Sequence, residues 1–419
     1  MQACNPDMES LVYDLIQPSK TSSDPESWTM FKVPHQLRQV NNKAYEPRLI
    51  SIGPYYHGNE HLKMMEIMKK SCFRRIIGES MDEAKKFVSA MKDMEEDVRK
   101  CYPQAFGHIS SNAFVKMMIL DGCFIVDLFR TDCKRECFLE LNGKLTEIHY
   151  DLLLLENQLP FYLLSKLYGM IKRSNVEKDE FPRLALVRLK KLIPGLFSSP
   201  EKFPEDIKHL LGLVHDSLIP QDKGVQEPLS NFIGCATELD NAGIKFVKKH
   251  KEGAATMLFD VEFTKAKAKL KIPTLMIDEN AELLLRNLMG YEQFIPKDKP
   301  TYVCDYVVFM DNLINTGMVV QLLRDSDVIV NWLSDDEAVS QMFNKLREFT
   351  YNANGSFFYK EMYDDVNNHC RSTWNKSKAR LKKDYFNTPW SIISFSAAVF
   401  LLLLTVLQSV FSVLSYVDQ

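Results

Sequence analysis

From Tyr385 to Val417 the chain carries no charged residue, and from Ile392 to Leu414 it is almost wholly apolar. A helix of that apolar length rises ~35 Å, and the hydrocarbon core of a bilayer is ~30 Å thick. The run therefore predicts one transmembrane helix, because core helices of soluble domains rarely stay apolar on every face for this length. Thr388 and Pro389 suit its first turn. Trp390, Ile392, Phe400, Leu401, Leu404, Leu407, Phe411, Leu414 and Tyr416 are the expected anchor residues, with Trp390 and Tyr416 at the two interfaces. Thr405, Gln408 and Ser412 recur at i, i+3 and i+7, a spacing that supports self-association through one polar stripe.

Flanking charge sets the expected orientation. Arg371, Lys376, Lys378, Arg380, Lys382 and Lys383 precede the span with no acid among them, while only Asp418 and Gln419 follow Val417. The positive-inside bias puts the main domain in the cytoplasm, as in tail-anchored proteins. The same cations attract anionic lipid, so membrane lipid is an expected partner. Met1-Gln2-Ala3-Cys4 begins neither a signal peptide nor a myristoylation site.

The rest of the 419-residue chain reads as globular. Hydrophobic residues make up 46% and charged residues 26%, enough to bury a core. A net charge of −3 argues against nucleic acid as a partner. Nine cysteines without a C-x-x-C pair read as reduced thiols rather than a disulfide framework.

The pattern predicts a mainly α fold: a large helical domain with a possible small β-hairpin, plus the C-terminal transmembrane helix. The expected divisions are an arm over 1–28 (a helix stub, then flexible), a domain over 29–385, the span over 386–416 and a tail over 417–419. Helices are expected over about 61–77, 80–101, 111–130 and 279–292, the third apolar nearly all round and so central. Val33-Pro34 to Gly58 is turn-rich. Residues 151–161 read as a helix, a tight turn with Asn157 as N-cap, and a second helix entered through Pro160. Residues 173–230 look like a long surface connection with short helices. Leu258–Phe263 and Leu270–Ile277 could pair as a hairpin. Glu282 and Arg286 stand four apart, and Ser334 with Glu337 forms a capping box.

Chemistry-bearing motifs are weak. His57 and His61 have helical metal spacing but no nearby third ligand, and Cys133 with Cys137 has no distal pair. Gly53 to Gly58 lacks the Lys-Ser/Thr of a phosphate loop. Asn354 and Asn375 head glycosylation triplets that matter only outside the cytosol. Asp121, Asp127, Asp151, Glu156 and Asp278 lie in or beside apolar runs, where caps and ion pairs are commoner than catalysis. No cofactor or metal is expected. The leading expectation is a membrane-tethered recognition protein with a protein partner; the alternative is a carboxylate-based enzyme at a membrane surface.

Several motifs in order resemble one family. They are Ile52-Gly53-Pro54-Tyr55-Tyr56-His57-Gly58, Leu120-Asp121-Gly122-Cys123-Phe124 and Asp151 to Phe161, then Ala236-Thr237-Glu238-Leu239. Ile272-Pro273, Arg286-Asn287-Leu288, Tyr291-Glu292-Gln293 and Asp384-Tyr385-Phe386 with Pro389-Trp390 follow. From about Val33 to Tyr416 the chain resembles the plant proteins catalogued as domain of unknown function 247. That resemblance implies a land-plant origin and a single C-terminal membrane helix, with no established activity or catalytic residues. Some grass members are associated with self-incompatibility, which makes self/non-self recognition a special case of the leading expectation. Met289-Gly290 departs from the bulkier or Ala residues usual there.

Overall fold

The computed structural model describes residues 28–103, 106–130, 143–172, 177–190, 192–193, 203–204, 206–219, 232–250, 256–295, 300–348, 357–372 and 389–417. The arm up to residue 27, Cys133, Cys137, Asn354, Asn375 and the basic residues Lys376, Lys378, Arg380, Lys382 and Lys383 lie outside them.

Helices dominate. A short α1 (His35–Val40) is followed by α2 (Lys63–Ile77), α3 (Met81–Lys100) and α4 (Ser111–Arg130). Gly78, at φ +59°, ends α2 with its amide on the last-turn carbonyls, a left-handed cap that glycine adopts without a Cβ penalty. Ser80 accepts from the Glu83 amide and starts α3. As the all-round apolar pattern predicts, α4 is buried from Phe114 to Phe129 at every residue except Lys116. Both α2 and α3 pack on α4.

Next come α5 (Leu145–Asp151), α6 (Phe161–Lys172), α7 (Glu180–Leu189), α8 (Leu210–Leu218) and α9 (Ala236–Asn241). The expectation that 173–230 forms a surface connection fails for α7 and α8. Phe181, Leu186, Leu211 and Leu213 are all buried; lysines and prolines between these helices dilute the local composition without removing their apolar faces.

The strands are β1 (Lys245–Lys248), β2 (Glu262–Thr264), β3 (Lys269–Ile272), β4 (Leu275–Ile277) and β5 (Ile329–Asn331). The hairpin is β2 antiparallel to β3, with Phe263 opposite Leu270. It is smaller than expected. Leu258 to Val261 stays outside it, β4 pairs parallel with β5, and β1 joins β3 in parallel. Pro273 cannot donate to a ladder, so β3 and β4 separate there.

The domain ends with α10 (Ala281–Glu292), α11 (Tyr302–Leu313), α12 (Gly317–Asp325), α13 (Asp336–Arg347) and α14 (Lys360–Arg371). Arg286 Nε does bind Glu282, at 2.7 Å. The cap of α13 is Asp335, accepting from the Ala338 amide at 2.7 Å, rather than Ser334. Glu337 instead accepts from the Gly317 amide. Last comes α15 (Pro389–Val417).

Candidate functional site

The extended segment 45–58 cannot form its own hydrogen-bond ladder, so its amides need partners elsewhere. They find them in the segment after α5. Asp151 accepts from three successive amides, Arg48 at 2.9 Å, Leu49 at 2.7 Å and Ile50 at 2.9 Å. Asn157 accepts from the Ile52 amide at 2.7 Å and donates to the Ile50 and Asp151 carbonyls. Asn157 is therefore a latch and not an N-cap: α5 stops at Asp151, and the next helix starts only at Phe161. Gly53, at φ +71°, turns its amide onto Asp121 at 2.8 Å.

Other elements join this network. Gln158 donates to the Leu152 and Leu154 carbonyls and accepts from the Leu211 amide, tying in α8. Asn287 of α10 accepts from the Leu155 amide and donates to the Ala44 carbonyl. Lys69 is fully buried and pairs with Asp121 at 2.6 Å. Glu156 binds Arg38, the Tyr56 hydroxyl at 3.0 Å and the Val33 amide at 2.7 Å. Asp127 pairs with Arg75, and Asp278 accepts from the Asn280 amide.

Burial pushes the Asp151 carboxyl up to about 6 despite its three amide donors. It also raises Asp121, whose desolvation outweighs the pull of Lys69. On the far side of α10, Glu292 accepts from the Val303 and Cys304 amides at 2.8 and 2.9 Å, capping α11. It also meets His215 Nε2 at 2.9 Å, while Nδ1 faces Asp216 at 3.1 Å. Burial lowers His215, but the two carboxylates outweigh it and hold the ring at about 9. His209 has no such partner, and burial takes it to about 3.

The five carboxylates singled out from the sequence therefore do not converge. Glu156 borders a cleft of about 600 Å³ with His35, Arg38 and Tyr56. Asp278 borders a separate pocket of about 370 Å³ beneath Trp332. Asp121, Asp127 and Asp151 line neither. The enzyme expectation called for one pocket lined by several of these carboxylates and histidines, and neither of these two clefts gathers more than one of the five carboxylates. His57 is exposed and His61 Nε2 lies 3.4 Å from the Pro47 carbonyl. No group of His, Cys, Asp and Glu among the described residues could hold a metal.

Sequence reading passed over Lys69 and His215, and it placed Asn287 and Glu292 only within motifs, without a role. Lys69 left a signal: it occupies the position between Met65 and Cys72 where the apolar stripe of α2 calls for a hydrophobe. A cation on an apolar stripe implies a buried counter-charge.

Ile393–Phe411 has a mean hydropathy of 2.2, and none of it is buried against the rest of the protein. By itself, among the described residues, it is the helix long and apolar enough to cross a membrane. Trp390, Phe400, Leu401, Leu404, Leu407 and Phe411 are all exposed on it. Ile392, Leu414 and Tyr416 lie in the same helix, and Arg371 ends α14 before it. Thr405 hydrogen-bonds back to the Leu401 carbonyl at 2.9 Å.

Comparison with known proteins gives one consistent result. The family described as a plant protein of unknown function, DUF247, matches residues 30–404. A UPF0481 protein of Arabidopsis thaliana is 31% identical over 436 aligned residues, covering 95% of this chain and 89% of the relative. A putative UPF0481 protein of the same plant is 22% identical, covering 91% and 89%. No solved structure matches.

Proposed function

Because this chain belongs to the DUF247 family of plant proteins, we propose that it is a membrane-tethered interaction protein whose helical domain presents its surface to a protein partner. The observation that carries this reading is the span. Nineteen residues with a mean hydropathy of 2.2 remain unburied among the described residues. Exposing that surface to water is unfavourable by ~25 cal/mol per Å², and a bilayer removes the cost. The polar groups of the domain support the reading too, since they are engaged in holding segments together instead of converging on a reacting centre.

The domain faces the cytosol in this proposal, because the cations from Arg371 to Lys383 precede the span and such clusters stay on the cytoplasmic side. Adding a C-terminal glycosylation tag and digesting intact microsomes with protease tests it. A glycosylated tag with a digested domain is the expected result. A protected domain carrying sugar on Asn354 or Asn375 would reverse the orientation and make direct cell-to-cell recognition the better reading. If self/non-self recognition in reproduction is the specific role, exposed positions will vary strongly among alleles while the latch residues will not.

A further inference from the structure

The consecutive helices α2 and α3 both pack on α4, and between them a groove of about 470 Å³ runs over its first half. Phe73, Val88, Val115 and Ile119 give the groove its apolar surface. Exposed apolar side chains continue it along both walls. On α3, Met81 and Val88, 72% and 40% exposed, share one stripe with Lys85 and Lys92, at i, i+4, i+7 and i+11. On α2, Ile67, 61% exposed, shares a stripe with Lys70 and Arg74, at i, i+3 and i+7. Large apolar residues on a protein surface ordinarily stand singly, and here three of them border one groove.

Every charged residue among the described lining is a cation. Lys70 and Arg74 stand on the α2 wall, Lys92 on the α3 wall, and Lys116 rises from α4. The three lysines are exposed and form no ion pair among the described residues. Arg74 meets Glu79, but both side chains are about 70% exposed, and such a pair contributes only ~0–1 kcal/mol, so an incoming carboxylate can replace it. Lys92 lies near Glu95, whose carboxylate is already held by Arg99 and Ser111.

An apolar groove walled by cations selects an occupant that is both acidic and amphipathic. Because the cations stand on both walls, the acids of that occupant must run along both edges of its apolar ridge. A single-headed lipid carries its charge at one end and leaves one wall unmatched. A helix with apolar residues at i, i+3, i+4 and i+7 and acids on either flank matches both walls.

We propose that the groove between α2, α3 and α4 is a docking site for a partner protein, which lays an acidic amphipathic helix into it. The proposal rests on the reading of this chain as a tethered interaction protein, and adds to it the surface used and the chemistry of the partner.

The test uses the full chain in nanodiscs of neutral phosphatidylcholine. The probe is a fluorescein-labelled peptide about five helical turns long, with leucine at the stated spacing and glutamate on both flanks, followed by fluorescence anisotropy. The peptide is expected to bind at least about tenfold more tightly than a scrambled peptide of the same composition, and to lose about tenfold or more on the Lys70→Glu/Lys92→Glu/Lys116→Glu chain. That inverted chain is expected to bind instead the peptide with lysine in place of every glutamate, which also shows that it remains folded. A chain that does not enter the nanodiscs fails the membrane reading before any peptide is added, whereas a groove that binds neither peptide leaves that reading standing and overturns this proposal. Binding of the glutamate peptide that survives the inversion would overturn it too, by placing the contact elsewhere. So would oleate that binds more tightly than the peptide with the same charge dependence, which assigns the groove to an anionic lipid, or peptide affinity that falls as chain concentration rises, which assigns it to a second copy.

Discussion

Asn157 engages all three of its described polar contacts inside the protein, on Ile50, Ile52 and Asp151. A buried partner left unsatisfied costs roughly 1–3 kcal/mol, so Asn157→Ala is expected to destabilise the domain by about 3 kcal/mol in urea unfolding. His215 makes a prediction with a definite sign. Carboxylates face both of its ring nitrogens, and only the protonated imidazole donates from both. Its pKa rises on folding to about 9, so its stabilisation is complete below ~6.5 and is lost as pH rises through 9. The unfolding midpoint will fall across that window, and His215→Gln will remove that part of the fall. The neighbouring His209 acts oppositely. Its ring accepts from the Gly212 amide at 3.0 Å and its pKa falls to about 3, so its contribution is lost as pH drops below ~6.5. Asp121 and Asp151 stood out in the sequence, as carboxylates in or beside apolar runs, whereas Asn157 read as an N-cap. Their roles were not legible, because the amides they bind lie more than sixty residues away along the chain.

Among the elements, α4 was the most legible, since a helix apolar on all sides has only the centre of a domain to occupy. On another side it packs against α6. A Cβ on Gly122 would overlap the Leu167 side chain. Gly122→Ala should therefore cost about 1–3 kcal/mol as the buried Leu167 side chain is pushed out of its place, measured as a lowered Tm with unchanged helix content by circular dichroism. The strands were less legible. Three- and four-residue strands carry too few alternations to fix a partner, so β1 and the parallel β4–β5 pair escaped notice while β2 and β3 were bounded only loosely. The cap of α13 illustrates a similar limit. Ser334, Asp335 and Glu337 all suit a helix start, and only the backbone bend at Asp335, extended at φ −155°, selects among them.

At the scale of the whole molecule, the latch explains why motifs scattered from Gly53 to Asn287 belong together. They supply the buried polar groups that hold an extended segment, five or more helices and the turn after α5 in one arrangement. The span makes its own prediction. Leu404→Arg, near its middle, should weaken membrane association by ~3 kcal/mol, seen as a shift of the full chain from the membrane pellet to the carbonate-extracted fraction. The sequence by itself determined the long apolar C-terminal helix, the helical class and the central helix, because length, hydropathy and the 3.6-residue period are local properties that survive without knowledge of neighbours. Tertiary structure alone decided which amide each buried carboxylate holds, that α7 and α8 enter the core, and that α2, α3 and α4 leave an apolar groove with cationic walls. Those are pairings between residues distant in the chain, and no local period encodes them.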